Sequence, residues 1–313
     1  MNAGKYRFSQ LVSFLPKRVF DGIVKRHEGD KWVKHFTCWN QLLVMMFGQL
    51  AGCDSIREVA AIIDAIKSKS YHLGFGSGDI KLSNLSYANA NRDYKIFEEF
   101  AYHMINLAQS KRITRPFVLN GKFYAFDSTT IDLCMSLFEW AYFRKTKSGI
   151  KVHTLFDVVT QIPTYIHITE AKLHDVKAMD EISYEPNAFY IFDKGYYDLA
   201  RLYRIQCIGS MFIIRAKEHL KYEIVSGEHL RVLSFWGTSE NAVRIQIYVA
   251  VITYCLVAIV EHDCQLGRTT FNVLRVLSRV LTDKTHIRDL FKGSETIEDA
   301  DDETVQLQFD FKY

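Results

Sequence analysis

Hydrophobic residues in the first third of the chain recur at the three- and four-residue intervals of amphipathic helices. The pattern runs from Phe8 to about Ser110 and includes Leu11, Phe14 and Leu15 near its start. Such spacing places the apolar side chains on one face of each helix. It predicts an all-helical N-terminal domain.

Local signals predict where several of these helices begin and end. Thr37 and Ser55 each precede an apolar periodic segment and are expected N-caps, with Glu58 completing a capping box in the second case. The segment 72–93 is rich in Gly, Ser and Asn and is predicted to be a loop or hinge, followed by a last helix over 94–109. A change in composition over 110–121 predicts the domain boundary.

The hydrophobic period changes beyond this boundary. Short runs rich in β-branched and aromatic residues alternate with two helical segments, which predicts the order β-β-β-α-β-α-β of an α/β domain. The predicted strands are 123–133, 149–160, 162–172, 188–197 and 210–217, and the predicted helices are 178–182 and 198–207.

From residue 239 onward the pattern is helical again, with Thr238 or Ser239 as the expected N-cap. The longest apolar run, 247–260, has 14 residues. Because a membrane-spanning helix needs about 20 residues, this run predicts a buried core helix of a soluble protein. The last 25 residues are acidic, lack a helical stripe and are predicted to form a frayed tail.

Composition and charge narrow the class of protein. Of 313 residues, 48% are hydrophobic and 24% are charged, which excludes intrinsic disorder and allows one large core or two modest ones. The net charge of +3 conceals an asymmetry, with +7 over 1–120, +2 over 121–288 and −6 over 289–313. The basic front part suits the approach to a polyanion.

Cysteine and histidine usage adds two expectations. The six cysteines show no C-x-x-C pair and mostly lie in apolar stretches, where a free thiol packs as a small hydrophobic group. They predict a reducing, intracellular location, and the N-terminus shows no secretory signal. The 11 histidines include no pair at zinc-site spacing, so structural or surface roles are expected for them.

Two aspartates occupy matching positions at the ends of predicted strands. Asp127 ends the run 123–126, and Asp193 ends the run 189–192. Carboxylates at the ends of neighbouring strands can point into one crevice, where a divalent cation would relieve their repulsion. Mg²⁺ or Mn²⁺ held there can activate water and stabilise the leaving oxygen of a phosphodiester. The alternative is that each acid only begins a turn or caps a helix.

A basic strand entry lies between the two acids. Residues 144–151 contain four cations, and His153 follows two positions after Lys151. Phosphate contact is one use of such a segment. A solvated hairpin is the other, since most surface charge runs only keep a protein soluble.

Linked motifs run along most of the chain. Those in the core are FDSTTIDL, SGIKVHTLFDVVTQIPTYIHIT, KLHDVKAM, FYIFDKGYYD and IIRAK. Outside it are FSQLVSFLP, FTCWNQLLVMMFGQLAGCDSIREV and LSYANANRDYKIFE near the start and WGTSENAVRIQIYVAVITYCLVAIV near the end. Together these motifs resemble the DDE transposases of bacterial insertion sequences, in particular the insertion-sequence-four family.

The resemblance implies a fold and an activity. The fold is an α/β, RNase H-like core with a mixed five-stranded sheet, preceded by an all-helical domain. The implied domains are a basic, helical DNA-binding domain over 1–115, a transposase core with C-terminal helices over 116–288 and an acidic tail over 289–313. The activity is metal-dependent cleavage at transposon ends and joining of the freed 3′-OH to target DNA.

The resemblance also implies site residues and partners. Asp127 and Asp193 match the first two of three acids that hold two Mg²⁺ (or Mn²⁺) ions in the family. Five residues are expected to contact DNA or position its strands, although burial in the turn is equally expected for the fourth: Lys151, His153, Lys194, Tyr196 and Arg215. The implied partners are double-stranded DNA, as terminal inverted repeats and as target, and a second copy in a homodimer. The implied location is the bacterial cytoplasm at the nucleoid, with no membrane.

The third acid of the family is missing from its motif. In the family it lies in a Tyr-x-x-Arg-x-x-x-Glu signature, on a helix that follows a long β insertion. Counting from Tyr222, Val225 takes the place of Arg and His229 that of Glu. We expect that an internal deletion removed the insertion and the helix, and that strand transfer is crippled. Four glutamates without a motif remain as candidate replacements: Glu218, Glu223, Glu228 and Glu240.

Two other functions stay open at this point. The chain could be an inactive DNA-binding remnant that occupies transposon ends or pairs with an intact transposase and inhibits it. It could also use Asp127 and Asp193 as the acid pair of a hydrolase that acts on sugars or another small substrate, a chemistry that needs no metal.

Overall fold

The structure is a computed structural model that describes residues 4–76, 79–112, 121–133, 142–144, 147–214 and 239–291. The chain divides into two compact units. The described residues up to Lys111 and from Ser239 onward belong to the first unit, and those from Arg112 to Ile214 belong to the second. The sequence had placed the C-terminal helices with the core instead.

The first unit is helical, as the hydrophobic spacing predicts. Its N-terminal helices are α1 (Arg7–Val12), α2 (Lys17–Arg26), α3 (Cys38–Ala51), α4 (Ile56–Ala65), α5 (Ser70–Leu73), α6 (Leu82–Asn91) and α7 (Lys95–Arg112). Two helices of the second unit come next along the chain, α8 (Asp175–Ala178) and α9 (Leu199–Cys207). The first unit then continues with α10 (Glu240–Cys264), α11 (Thr270–Leu277) and α12 (Ile287–Leu290).

The predicted N-caps are confirmed. The Thr37 hydroxyl accepts a hydrogen bond from the third N–H of α3 at 3.2 Å, and the Ser55 hydroxyl accepts from the N–H of Glu58 at 3.1 Å. The Glu58 carboxylate reaches back to the N–H of Asp54 at 2.7 Å, one residue earlier than in a standard capping box. Ser239 caps α10 in the same manner.

The segment 72–93 was predicted to be a loop, and this prediction is wrong because the segment contains α6. Ser and Asn are less favourable than Ala in a helix by less than about 1 kcal/mol per residue. Leu85, Ala88 and Asn89 are buried, and Gln41 on α3 donates to the Asn89 side-chain oxygen at 2.6 Å. Packing of one helical face therefore outweighs the composition of the segment.

The apolar run 247–260 lies in the middle of α10, which has 25 residues. By length and composition α10 could cross a membrane, but 94% of its most apolar window is buried within the protein. This burial confirms the predicted core helix. Because α10 packs against α3 and α6, the C-terminal helices group with the first unit.

The second unit is built on a mixed sheet. Its strands are β1 (Lys122–Leu133), β2 (Tyr142–Arg144), β3 (Lys147–Asp157), β4 (Ile162–Glu170), β5 (Ala188–Phe192) and β6 (Met211–Ile214). The five predicted strands and α9 are confirmed. The predicted helix over 178–182 corresponds to the end of α8 and the 3₁₀ turn Met179–Glu181, and β2 is a short strand that was not predicted.

The topology of this sheet places two parallel strands beside an antiparallel meander. β1 pairs antiparallel with β3, and β2 and β4 also pair with β3. On its other side β1 pairs parallel with β5, which pairs parallel with β6. This arrangement is the RNase H-like core that the resemblance implies.

One face of the sheet carries the hydrophobic core of the second unit. Tyr124 and Phe126 of β1 and Tyr190 and Phe192 of β5 are buried there, together with residues of α8 and α9. The rings of Phe126 and Phe192 meet edge to face with centroids 6.1 Å apart. Because side chains alternate along a strand, this cluster also determines which neighbouring residues point away from the core.

Candidate functional site

Two aspartates stand side by side where the parallel ladder between β1 and β5 ends. Phe126 pairs with Phe192 in this ladder, and Asp127 and Asp193 are the next residues along each chain segment. Strand alternation turns both acids to the face opposite the two phenylalanines. Both aspartates are exposed. The structure therefore brings together the two acids that the sequence singles out.

The surroundings of Asp127 disfavour its negative charge. Its pKa is raised above the ordinary value, first by the loss of solvent around the carboxylate and then by the charges of Asp193 and Asp175. The N–H of Ser128 donates to the carboxylate at 2.7 Å and opposes this rise. A cation beside the two acids would offset their repulsion.

Asp175, the first residue of α8, supports Asp127 from the other face of the sheet. Its carboxylate accepts a hydrogen bond from the Ser128 hydroxyl at 2.9 Å. Ser128 thus connects the two acids, since its N–H holds Asp127 and its hydroxyl holds Asp175. Hydrogen bonds behind a ligand-type side chain fix the orientation of that side chain.

The ammonium group of Lys151 binds two partners within the second unit. Its Nζ lies 3.0 Å from Oδ1 of Asp175 and donates to the carbonyl of Leu173 at 3.0 Å. Its side chain is only 12% exposed. The resemblance implied that Lys151 contacts a phosphate or positions a DNA strand. In the structure its ammonium already has two partners within the fold.

His153, on β3 between β1 and β4, is completely buried. Its Nε2 lies 3.0 Å from the Thr169 hydroxyl, and its ring lies nearly parallel to that of Phe126 at 6.1 Å. Burial lowers the pKa of His153 to about 4, so the imidazole is neutral at neutral pH. The structure therefore does not present His153 to DNA, contrary to the role that the resemblance implied.

The turn after Asp193 sends its side chains in two directions. Lys194 is exposed. Tyr196 is 2% exposed, and its ring packs on Phe126 and Phe192 with centroids 5.1 and 5.9 Å away. Of the two roles expected for Tyr196, the structure favours burial in the turn over stacking on a nucleotide.

The candidate replacements for the third acid do not complete the pair in the part of the chain that is described. Arg215, Glu218, Glu223 and Glu228 lie outside the described residues. Glu240 begins α10 in the first unit and forms an ion pair with Arg244 at 2.8 Å. Within the described ranges, no group of three or more His, Cys, Asp or Glu side chains could hold a metal ion.

The sequence analysis did not identify Asp175, although it lies in the quoted motif KLHDVKAM. The signal in the sequence is weak, because acidic residues are common in the first turn of helices for reasons unrelated to function. What distinguishes Asp175 is its contact with Ser128, 47 positions earlier. Only the antiparallel return of β3 and β4 brings these two residues together.

Two domain families match the chain. The transposase DDE domain matches residues 120–247, which include the whole sheet and both acids. A domain of unknown function, DUF4372, matches residues 3–76 in the first unit.

Two bacterial proteins show what the chain is similar to. A candidate transposase, y4zB, of Sinorhizobium fredii is 23% identical over 242 residues, a match that covers 52% of this chain and 67% of that protein. A candidate transposase of insertion sequence element IS4SA of Synechocystis sp. is 24% identical over 189 residues, covering 59% of this chain and 53% of that protein. The chain thus spans about half to two thirds of the length of these relatives.

The RNase H-like sheet and the aspartate pair thus lie in a transposase DDE domain. The chain is similar to transposases of insertion sequences, as its motifs predict.

Proposed function

We propose that this chain binds the ends of its insertion sequence and that Asp127 and Asp193 hold a divalent cation, Mg²⁺ or Mn²⁺, at the DNA strand to be cut. The observation that carries this proposal is the placement of two exposed carboxylates at the end of one parallel ladder, within a matched transposase domain.

The donor set suits a hard divalent cation. Carboxylate oxygens are the side-chain ligands that Mg²⁺ and Mn²⁺ prefer. The pKa of Asp127 is raised first by loss of solvent and then by the charges of Asp193 and Asp175, and a bound cation would offset both effects. When bound, such a cation can activate water and stabilise the leaving oxygen of a phosphodiester.

Each neighbouring residue has a proposed part in this site. Ser128 and Asp175 hold the Asp127 carboxylate in one orientation, and Lys151 holds Asp175. Lys194, exposed and next to Asp193, contacts a DNA phosphate. Arg215, which lies outside the described residues, keeps the phosphate contact that the resemblance implies for it.

DNA binding is proposed for the basic N-terminal part, residues 1–115. This part lies within residues 1–120, which carry a net charge of +7, and a polyanion is its natural partner. We propose that it binds terminal inverted repeats within a homodimer, at the nucleoid of the bacterial cell. Because neutralised phosphates release counterions, the affinity should fall steeply with salt.

We further propose that an internal deletion has removed the third acid and impaired strand transfer. One observation from the comparisons supports a deletion. The match to y4zB extends over 242 residues but covers only 52% of a chain of 313 residues, so the aligned stretch is longer than the part of this chain that it occupies. Misplacing a reacting group by about 1 Å already costs on the order of 100-fold in rate.

The activity can be tested with purified full-length chain and DNA that carries the element's ends. We expect DNA binding, weak nicking that requires Mg²⁺ or Mn²⁺ and is lost in Asp127→Asn, and joining far below that of an intact relative assayed in parallel. Efficient Mg²⁺-dependent joining would refute the impairment. Nicking that persists in a chelator would contradict the metal site and favour an acid-pair hydrolase.

A second candidate function is inhibition of an intact transposase. The observation that favours it is that the described residues offer two acids and no third ligand for a metal ion. A chain that binds ends without cutting them would compete with an active relative. We therefore expect gel shifts with wild-type chain and with Asp127→Asn alike, and reduced transposition when either is co-expressed with the relative.

A further inference from the structure

The loop between α2 and α3 presents a tryptophan to solvent. Trp32 is 91% exposed, more than any other large hydrophobic side chain among the described residues. Its backbone φ of +64° lies in the left-handed region, which bulky side chains rarely adopt. A costly conformation that displays a large apolar side chain indicates a role in binding.

The loop is firmly attached to the first unit, so the exposure of Trp32 is a feature of the fold. Gly29 packs so closely that a Cβ there would collide with Ile96 and Cys38. The Asp30 carboxylate accepts a hydrogen bond from the N–H of Cys38 at 2.6 Å, and its carbonyl accepts from the N–H of Val33 at 3.1 Å. These contacts hold the loop on both sides of Trp32.

The residues around Trp32 are basic and exposed. Lys31, Lys34 and His35 all face solvent. Lys31 pairs with Glu28 at 2.7 Å, whereas Lys34 and His35 form no ion pair with any residue that the structure describes. Cations beside an exposed aromatic ring match a nucleic acid, whose backbone is anionic and whose bases offer flat faces.

We infer that Trp32 stacks on an unpaired base of bound DNA while Lys34 and His35 contact the backbone beside it. The inference rests on the proposed DNA binding and extends it, because it assigns the contact to one loop and to bases that have left the duplex stack. Stacking tolerates every base, since each has a π-face. A frayed end, a nick or a single-stranded extension offers such a base.

The test compares variants of the full chain by fluorescence anisotropy. The probes are a labelled duplex of mixed sequence and the same duplex with a single-stranded 3′ extension, each titrated over a range of salt concentrations. The variants are Trp32→Ala, Trp32→Tyr and Lys34→Ala. Tyr87→Ala is the matched control, because Tyr87 is 70% exposed on the same unit.

We expect Trp32→Ala to bind the extended probe about tenfold more weakly than wild type, with an unchanged dependence on salt. Trp32→Tyr should retain most of the affinity, and Tyr87→Ala should match wild type. Lys34→Ala should weaken binding to both probes and reduce the salt slope by about one.

Three results would overturn the inference, and they differ in whether the proposed DNA binding fails with it. If Trp32→Ala binds the extended probe as tightly as wild type does while Lys34→Ala binds it more weakly, the stacking role of Trp32 is wrong and the proposed DNA binding stands. If wild-type chain binds neither probe at low salt, both fail. An equal loss of affinity for both probes in Trp32→Ala would contradict recognition of an unpaired base.

Discussion

Asp127, within β1, and Asp193, just after β5, occupy equivalent positions, each one residue beyond the paired Phe126 and Phe192. The buried phenylalanines fix the register on one face, and strand alternation then turns the two acids to the other face. The same packing that stabilises the sheet thereby places two carboxylates beside each other. The proposed function depends on this relationship.

The hydrogen bond from Ser128 to Asp175 should raise the affinity of the Asp127–Asp193 pair for a cation, although neither residue is a proposed ligand. We expect Ser128→Ala to bind Mn²⁺ about tenfold more weakly, because the hydrogen bond between Ser128 and Asp175, which helps to orient Asp127, is lost. Isothermal titration calorimetry measures the affinity. Thr164→Ala is the control, since its hydroxyl also bonds within the sheet, to the carbonyl of Leu155 at 3.0 Å. Equal affinities for Mn²⁺ in wild type and Ser128→Ala would contradict the proposal that Asp175 positions Asp127 through Ser128.

The ion pair between Lys151 and Asp175 should stabilise the second unit. Lys151→Met leaves a half-buried carboxylate without its cation, and we expect the free energy of unfolding to fall by about 1–3 kcal/mol. Adding Asp175→Asn to this variant should recover part of the loss, which a double-mutant cycle in urea would show as coupling. Lys172→Met, which breaks an exposed pair with Glu170, should cost less than about 1 kcal/mol. Additive effects of the Lys151 and Asp175 changes would contradict a direct interaction.

Burial of His153 should make stability depend on pH. Its pKa is lowered from 6.5 to about 4 in the folded chain, so below pH 6.5 the unfolded chain binds a proton that the folded chain does not. We expect stability to fall as the pH decreases from 6.5 to about 4, by roughly 3 kcal/mol from this residue. Urea unfolding at several pH values should show a smaller loss in His153→Gln than in wild type.

The matched control for this pH effect is His174→Gln, because His174 is exposed. This variant should lose stability with decreasing pH as steeply as wild type. If His153→Gln also keeps the full dependence on pH, the buried imidazole is not its source.

Much of the fold follows from local patterns in the sequence. Runs of β-branched and aromatic residues identified the strands beside Asp127 and Asp193, and hydroxyl residues before apolar runs identified the caps at Thr37, Ser55 and Ser239. These features depend on neighbours within a few positions, so the sequence alone contains what is needed to predict them.

Other features depend on contacts between distant segments. Helix α6 forms in a segment rich in Asn and Ser because Gln41 and Asn89, 48 positions apart, bond in the interior of the first unit. The pairing of Lys151 with Asp175 was not predicted either, because the two residues become neighbours only after β3 and β4 have folded back. Such pairings carry no local signal, which is why sequence analysis missed them.

The claim that Asp127 and Asp193 bind a divalent cation is tested most directly by isothermal titration calorimetry. Mn²⁺ is titrated into the full chain as wild type, Asp127→Asn and Asp193→Asn. Glu185→Gln is the control, because the Glu185 carboxylate pairs with Lys122 at the start of β1, within the same unit. We predict that wild type and the control bind Mn²⁺ equally, and that each aspartate variant binds at least about tenfold more weakly. Equal binding by all four proteins, or none by wild type, would contradict a cation site formed by the two acids at the end of the parallel ladder.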